Sequence, residues 1–266
     1  MQRIAHLFTN ITNYAGQTLT IAELEARKLH HDWTELITRA AQPALWLLIF
    51  GEVLAHIKAI PTGELPYLDF MTPGILAQSV LFIAIFYGIA VIWERDLGIL
   101  HKLLAAPIPR PALVLGKALS AGERGLAQAG IVYLLAFALG VRLNGNLFAL
   151  IGVLVVVILG SALFSTFSLI IACIVKTRER FMGIGQLLTM PLFFASNAIY
   201  PISIMPAWLQ GISEINPLTY EVDALRGLMV IGGVSIYSVG VDLAVLFLAT
   251  IFLVMVAARL YPRIVI

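Results

Sequence analysis

Apolar and polar positions alternate along this chain on a long period. Six stretches stay apolar for about the twenty residues that a helix needs to cross a hydrocarbon layer. They are residues 38–57, 70–93, 117–140, 147–175, 182–200 and 235–260. An even number of crossings puts both termini on one side. Before the first stretch, Leu19, Ala22, Ala26, Leu29, Trp33 and Leu36 recur at three- and four-residue steps, with Glu23, Glu25, Arg27 and Lys28 on other faces. Thr20 and Glu23 have the spacing of an N-terminal capping box. The pattern predicts an amphipathic helix over 18–37 lying along a membrane surface, with Trp33 at the interface.

The longest polar break, residues 94–116, has its own pattern. Leu97, Leu100, Leu103 and Leu104 recur at helical spacing beside Ile99, with Asp96, His101 and Lys102 among them. That predicts a short amphipathic helix. Pro107, Pro109 and Pro111 then stop it, because proline lacks an amide hydrogen and its ring crowds the preceding turn. The pattern suits a helix held between two spans and built to be pushed, and it also suits an ordinary loop. Residues 201–233 are apolar, but Pro201, Pro206 and Pro217 cut them into pieces too short to span. They predict one short helix over 206–212. A second has Leu218, Val222, Leu225 and Met229 on one face and Glu221, Asp223 and Arg226 on others. Together these form an outer lid of interfacial or re-entrant helices, where broken backbone must be covered by protein or line a wet cavity.

Composition agrees with the pattern. The 266 residues are 60% hydrophobic and 12% charged, against about half and about a quarter in soluble domains, and the mean hydropathy is +0.95. This is an all-α membrane protein in one domain, 1–266. The N-terminus has no uninterrupted apolar core, so no cleavable signal peptide is expected. The placement of charge sets orientation. Arg3, Arg27, Lys28, Arg39, then Arg95, Lys102, Arg110 and Lys117, then Lys176, Arg178 and Arg180, and finally Arg259 and Arg263 all fall on one side. The other side has only Lys58, Arg142 and Arg226. By the positive-inside rule both termini and the 94–116 loop are expected to be cytoplasmic.

Candidate chemistry is sparse. Gly116-Lys117-Ala118 lacks the rest of a phosphate-binding loop. His30 and His31 are adjacent and point about 100° apart on a helix, so they make no ligand pair. Cys173 has no partner for a disulfide, and no metal site is expected. Glu123 and Arg124 are an intramembrane pair or snorkel to the interface. Glu52, His56 and Asp242 are equally open between a substrate contact and an interface marker. Gln78, Phe82, Phe86 and Tyr87 in the second span, with Thr189, Phe193, Ser196 and Asn197 in the fifth, mix aromatics with hydrogen-bonding groups. That mix suits a bulky amphipathic ligand or helix packing.

Four stretches together resemble a known family: QPALWLLIFG at 42–51, PGI at 73–75, ERDLGILHKLLAAPIPRPALVLGKAL at 94–119 and NPLTYEVDALR at 216–226. The chain resembles the type-2 ABC exporter membrane subunits, in the branch of drug-resistance permeases and of nodulation-factor and polysaccharide exporters. It is most similar to the daunorubicin-type drug-resistance permeases. The resemblance implies a permease of a bacterial cytoplasmic membrane, paired with itself or a like subunit and bound to two copies of a separate ATPase that holds ATP and Mg. It implies that Glu94, Asp96, Leu97, Gly98, Leu100, Lys102, Leu103, Leu104 and Pro107 belong to the coupling element. It also implies that Asn216, Pro217, Tyr220 and Arg226 shape the outer lid. No catalytic residue, cofactor or nucleic acid is expected in this chain. The substrate is drug-like or lipid-like, moved outward by alternating access, or a lipid-linked glycan. An intramembrane enzyme would need convergent acids, histidines or serines in span centres. A channel would have no need of the proline-hinged loop.

Overall fold

The computed structural model describes residues 16, 18, 20, 33–58, 60–100, 109–175 and 177–261. Most of the expected interfacial helix lies outside the described residues, as do His101, Lys102, Leu103, Leu104 and Pro107. Among the described residues every element is helical, apart from one isolated antiparallel bridge between Leu143 and Val230. In chain order the helices are α1 (Trp33–Leu45), a π-helical turn (Trp46–Gly51), α2 (Glu52–Ile57), α3 (Tyr67–Asp96), α4 (Arg110–Ala138), α5 (Leu147–Ile174), α6 (Arg178–Phe194), α7 (Ala207–Ile215), α8 (Pro217–Met229) and α9 (Val239–Leu260).

Among the described residues, four segments are long and apolar enough to cross a membrane: Ala40–Ile57, α3, α5 and α9. The other two expected spans differ for separate reasons. Helix α4 starts at Arg110, earlier than expected, with Pro109 at its N-cap and Pro111 in its first turn. A proline there loses no hydrogen bond that the helix would otherwise make. The helix carries Lys117, Glu123 and Arg124 along its first half. Helix α6 has 17 residues and ends at Phe194, so the expected fifth span to residue 200 stops short. Ser196 and Asn197 therefore lie in the turns beyond the helix and not within it.

The centre of the fold is the pair α3 and α5. In the most apolar stretch of α3, 78% of residues are buried within the chain, against 22% for α9. Ile75, Leu76, Val80, Leu81 and Ile85 of α3 join Val153, Val156, Val157, Leu163 and Phe164 of α5 in one apolar core. Helix α3 is buried on nearly every side, so it has no amphipathic stripe to read from sequence. In the C-terminal half of α3 the two helices meet at Gly88. Ser168 Oγ donates to Ile85 O and accepts from Gly88 N at 3.1 Å. A β-carbon at residue 88 would collide with Ser168 Oγ and the Phe181 ring of α6. Small residues at such crossings let helices approach closely and hydrogen-bond in the absence of water.

Gly88→Leu is therefore expected to overpack the α3–α5–α6 junction and lower stability by about 1–3 kcal/mol. The thermal unfolding midpoint of the purified protein measures this, with Ala90→Leu on a partly exposed position of the same helix as the comparison.

Candidate functional site

Three regions hold the residues with chemistry, and the structure distributes the expected site residues among them.

The first is the C-terminal end of α3. Glu94 and Lys117 are both buried and form an ion pair at 2.7 Å, linking α3 to α4. Sequence spacing gave no sign of this pair, because 23 residues separate its members. Tyr87 belongs to this cluster. Its hydroxyl lies 3.2 Å from Ser120 Oγ, and the Lys117 ammonium and Arg124 guanidinium sit 5.8 and 5.2 Å from its ring centroid. At the surface, Arg178 stacks 3.4 Å from the centroid of Trp93 and pairs with Asp96 at 2.7 Å, tying α6 to the last turn of α3. Beyond it the chain turns at Leu97 and Gly98. Gly98 takes φ +72°, a conformation open to glycine at no steric cost. Leu97 is exposed, and so is Ile99. Leu100 is not on that exposed face. It is wholly buried against Val91, Leu113, Val114, Leu169, Cys173 and Tyr261. The helical repeat correctly groups the leucines, but Gly98 redirects the chain between Leu97 and Leu100, and α9 supplies an internal partner for the second.

The second region is a cavity of about 330 Å³ lined by Thr38, Gln42, Pro43, Ser79, Phe82, Ile83, Phe86 and Gln128. It brings together two of the eight expected path residues, Phe82 and Phe86. Gln78 is buried and is not part of its lining. Thr189 spends its hydroxyl on Gly185 O of its own helix at 2.9 Å, and Phe193 packs edge-on against Trp46 with centroids 5.5 Å apart. Gln42 and Gln128 were the missed residues. Gln128 is wholly buried, and neither its amide nitrogen nor its oxygen has a hydrogen-bond partner. A buried amide left unpaired costs free energy, which a ligand or water in the cavity would recover. The signal for Gln128 was a lone amide in an otherwise small and apolar helix face.

The third region is built by α7, α8 and the turns after α6. Helix α8 does not lie on the surface with polar flanks. It packs on α3, α5 and α9, and its Glu221, Asp223 and Arg226 are all buried. Gly152 of α5 faces Leu228 and Gly160 faces Glu221, so α8 runs antiparallel along α5. Gly160 is thirteen residues beyond Leu147, about 20 Å along the helix axis. Asn216 caps α8, its Oδ1 accepting from Leu218 N at 3.1 Å and its Nδ2 donating to Leu192 O at 2.7 Å. Pro217 occupies the first turn. Tyr220 Oη donates to Glu214 O at 2.6 Å and its ring lies 5.1 Å from that of Tyr237. Asp223 accepts from Ser235 Oγ, Ile236 N and Tyr237 N at 2.9, 2.7 and 3.1 Å. Arg226 donates to Asn197 O at 2.6 Å and to Phe70 O at 3.4 Å, with its guanidinium 3.9 Å from the Phe70 ring centroid. In the orientation that satisfies its amide, Asn197 accepts from Arg226 and donates to Thr219 O, each at 3.2 Å. Glu221 has no partner for either carboxylate oxygen. Burial pushes its carboxyl well above the usual carboxylate range, which favours the neutral form.

Comparison with known proteins places these features. Residues 16–230 match the family described as ABC-2 type transporter. The chain is 32% identical over 195 residues to a protein of Cyanophora paradoxa named as a transport permease, ycf38, covering 72% of this chain and 66% of that relative's length. It is 26% identical to the daunorubicin resistance ABC transporter permease protein DrrB1 of Streptomyces coeruleorubidus, covering 87% of this chain and 84% of the relative. It is 23% identical to the inner membrane transport permease YadH of Escherichia coli K12, covering 78% and 82%.

The Glu94–Lys117 pair yields a sharp expectation. Glu94→Gln or Lys117→Met alone leaves the other charge buried and uncompensated, a loss of about 3–5 kcal/mol. Glu94→Gln with Lys117→Met should recover much of that. A double-mutant cycle on unfolding midpoints measures the coupling, and simple additivity of the two single losses would refute it.

Proposed function

This chain belongs to the ABC-2 type transporter family and is a membrane permease of that kind, and from that premise we propose that it exports a hydrophobic or amphipathic substrate across a bacterial cytoplasmic membrane by alternating access. Six segments cross the membrane, α4 and α6 among them, with both termini inside. Arg178 and Arg110 then sit at the cytoplasmic face. The α7–α8 hairpin enters from the outer side and returns, as a re-entrant cap. A separate ATPase supplies the energy, and the permease pairs with a second copy or a like subunit. The exposed apolar residues Leu45, Leu48, Ile49, Phe50 and Val53 of the first helical segment suit contact with lipid or with that second copy.

The observation that carries this reading is the course of α3. Buried along most of its length, it runs from Phe82 and Phe86 at the cavity to Leu97 and Gly98 at the loop. Phe86 and Leu97 are eleven residues apart, about 16 Å along the helix axis. A close-packed helix transmits a displacement at one end to the other. A push from an ATPase on the 94–116 loop would thus reach the cavity through one element, with the Glu94–Lys117 pair carrying α4 along. The drug-resistance relative favours a drug-like or lipid-like substrate over a lipid-linked glycan.

Two expectations follow from the arrangement. Leu97→Asp puts a carboxylate on an exposed position. It should leave folding intact while weakening ATPase co-purification about tenfold or more, since desolvating a charge at an apolar contact costs several kcal/mol. Leu100→Asp should instead prevent folding, because it buries that charge inside the chain. ATPase retention and transport at wild-type levels in Leu97→Asp would exclude this residue from the coupling surface. For orientation, cysteines are placed singly in a Cys173→Ser background. Gly145→Cys should react with an impermeant thiol reagent in intact cells, and Arg110→Cys and Glu179→Cys only after permeabilisation. Labelling of Arg110→Cys in sealed cells would overturn the topology.

A further inference from the structure

Arg226 lines a cavity of about 440 Å³, formed where the connections α2–α3, α6–α7 and α8–α9 come together. The walls are Pro61, Leu65, Phe70, Pro201, Val234 and Ile236, with Thr62, Gly63, Glu64 and Gly232 completing the lining. Arg226 is 4% exposed. Every hydrogen-bond acceptor it has among the described residues is a neutral oxygen: Phe70 O, Asn197 O and the Asn197 side chain. No carboxylate lies within ion-pair distance of it among the described residues. The nearby buried acids are already taken. Asp223, one turn back on α8, accepts from Ser235, Ile236 and Tyr237. Asp69, beside Phe70, pairs with Arg142 at 2.7 Å. The cavity's remaining acid, Glu64, is exposed to solvent at its edge.

A buried guanidinium surrounded by carbonyl dipoles keeps its charge, and Asp223 one turn back acts on it without a direct ion pair. Burial lowers its pKa to about 10, with the Asp223 charge opposing the shift, so it remains protonated at neutral pH. A desolvated cation of this kind is stabilised when an anion supplies the missing charge. Phe70 and Asn197 take four of its five N–H groups, and the remaining one on Nη1 can donate a charge-assisted hydrogen bond to a phosphate or carboxylate oxygen. The apolar remainder of the wall would cover carbon and not more charge. We propose that this cavity is a binding site for the phosphate or carboxylate headgroup of an amphipathic molecule, with Arg226 as the recognising cation. That the cavity faces the outer side rests on the topology proposed above; the binding itself does not.

The test uses the purified full-length chain in detergent and reads binding alone, so its outcome is separable from that of the transport experiments. Native mass spectrometry compares retention of phosphatidylglycerol with that of diacylglycerol bearing the same acyl chains. Phosphatidylglycerol is expected to be retained about tenfold better. Val234 is an exposed wall residue, so Val234→Glu adds a competing carboxylate without disturbing the core. It should abolish the preference, while Val234→Ala keeps it, with unfolding midpoints confirming that both fold. Arg226→Gln should also abolish it, and Val234→Glu stands alone should that variant fail to fold. Displacement by inorganic phosphate identifies a free oxyanion as sufficient. Retention without displacement identifies the lipid headgroup as the ligand. Equal retention of the two lipids by the wild type overturns the proposal, as does a preference unchanged in Val234→Glu.

Discussion

Backbone that leaves a helix away from water must find partners for its amides and carbonyls. That requirement governs the upper half of this fold. After Phe194 the chain runs through turns at residues 195–200 and breaks again at Asn216, in both places packed inside the molecule. The open carbonyls are met by side chains reaching from other helices. Arg226 serves Phe70 and Asn197, Asn216 serves Leu192, and Tyr67 serves Ile199 at 3.1 Å. The amides of Ile236 and Tyr237 are met by Asp223. Close approach is part of the same solution. Gly74 lies against the backbone of Ala198, where any β-carbon would collide. Helix α8 can therefore sit inside the bundle only because a set of polar residues replaces water.

Much of the architecture was legible in the sequence. Membrane spans rest on length and apolarity, which are local properties, and α3, α5 and α9 follow the expected stretches closely. Pro206 and Pro217 also read directly, since they precede or open α7 and α8, whereas Pro109 and Pro111, expected to close the preceding helix, begin α4. The site was less legible, and for a physical reason. Whether a side chain faces a cavity, a neighbour or solvent depends on packing across the chain. Phe82 and Phe86 share a face and reach one cavity, but their partners Gln42 and Gln128 come from α1 and α4. Leu100 looked like Leu97 because helical spacing assumes an unbroken helix, and Gly98 ends that assumption. Arg226 looked like a polar-face residue because it sits on an exposed-looking stripe of α8. The stripe is buried by α3 and α5, which no local pattern announces.

Charge at the C-terminal end of α3 serves a different purpose. Glu94 and Lys117 lock α3 to α4 across the 94–116 loop, and Arg178 locks α6 to α3 through Trp93 and Asp96. Such pairs contribute little net stability when both partners are replaced together, yet they specify which helices stay in register. The three helices therefore meet the loop as one rigid footing.

The π-helical turn at Trp46–Gly51 has a consequence for the first helical segment. A π turn closes each hydrogen bond one residue later than an α turn, so the wheel phase slips by roughly 100° where the two geometries meet. Residues on either side, Gln42 below and Glu52 above, cannot be placed on a single helical wheel drawn with one pitch. The face that lines the cavity near Gln42 and Pro43 is not the face continued by Val53 and His56. This rod thus presents two different sides to its surroundings at two depths, with Gly51 pressed against Leu68 of α3 at the changeover.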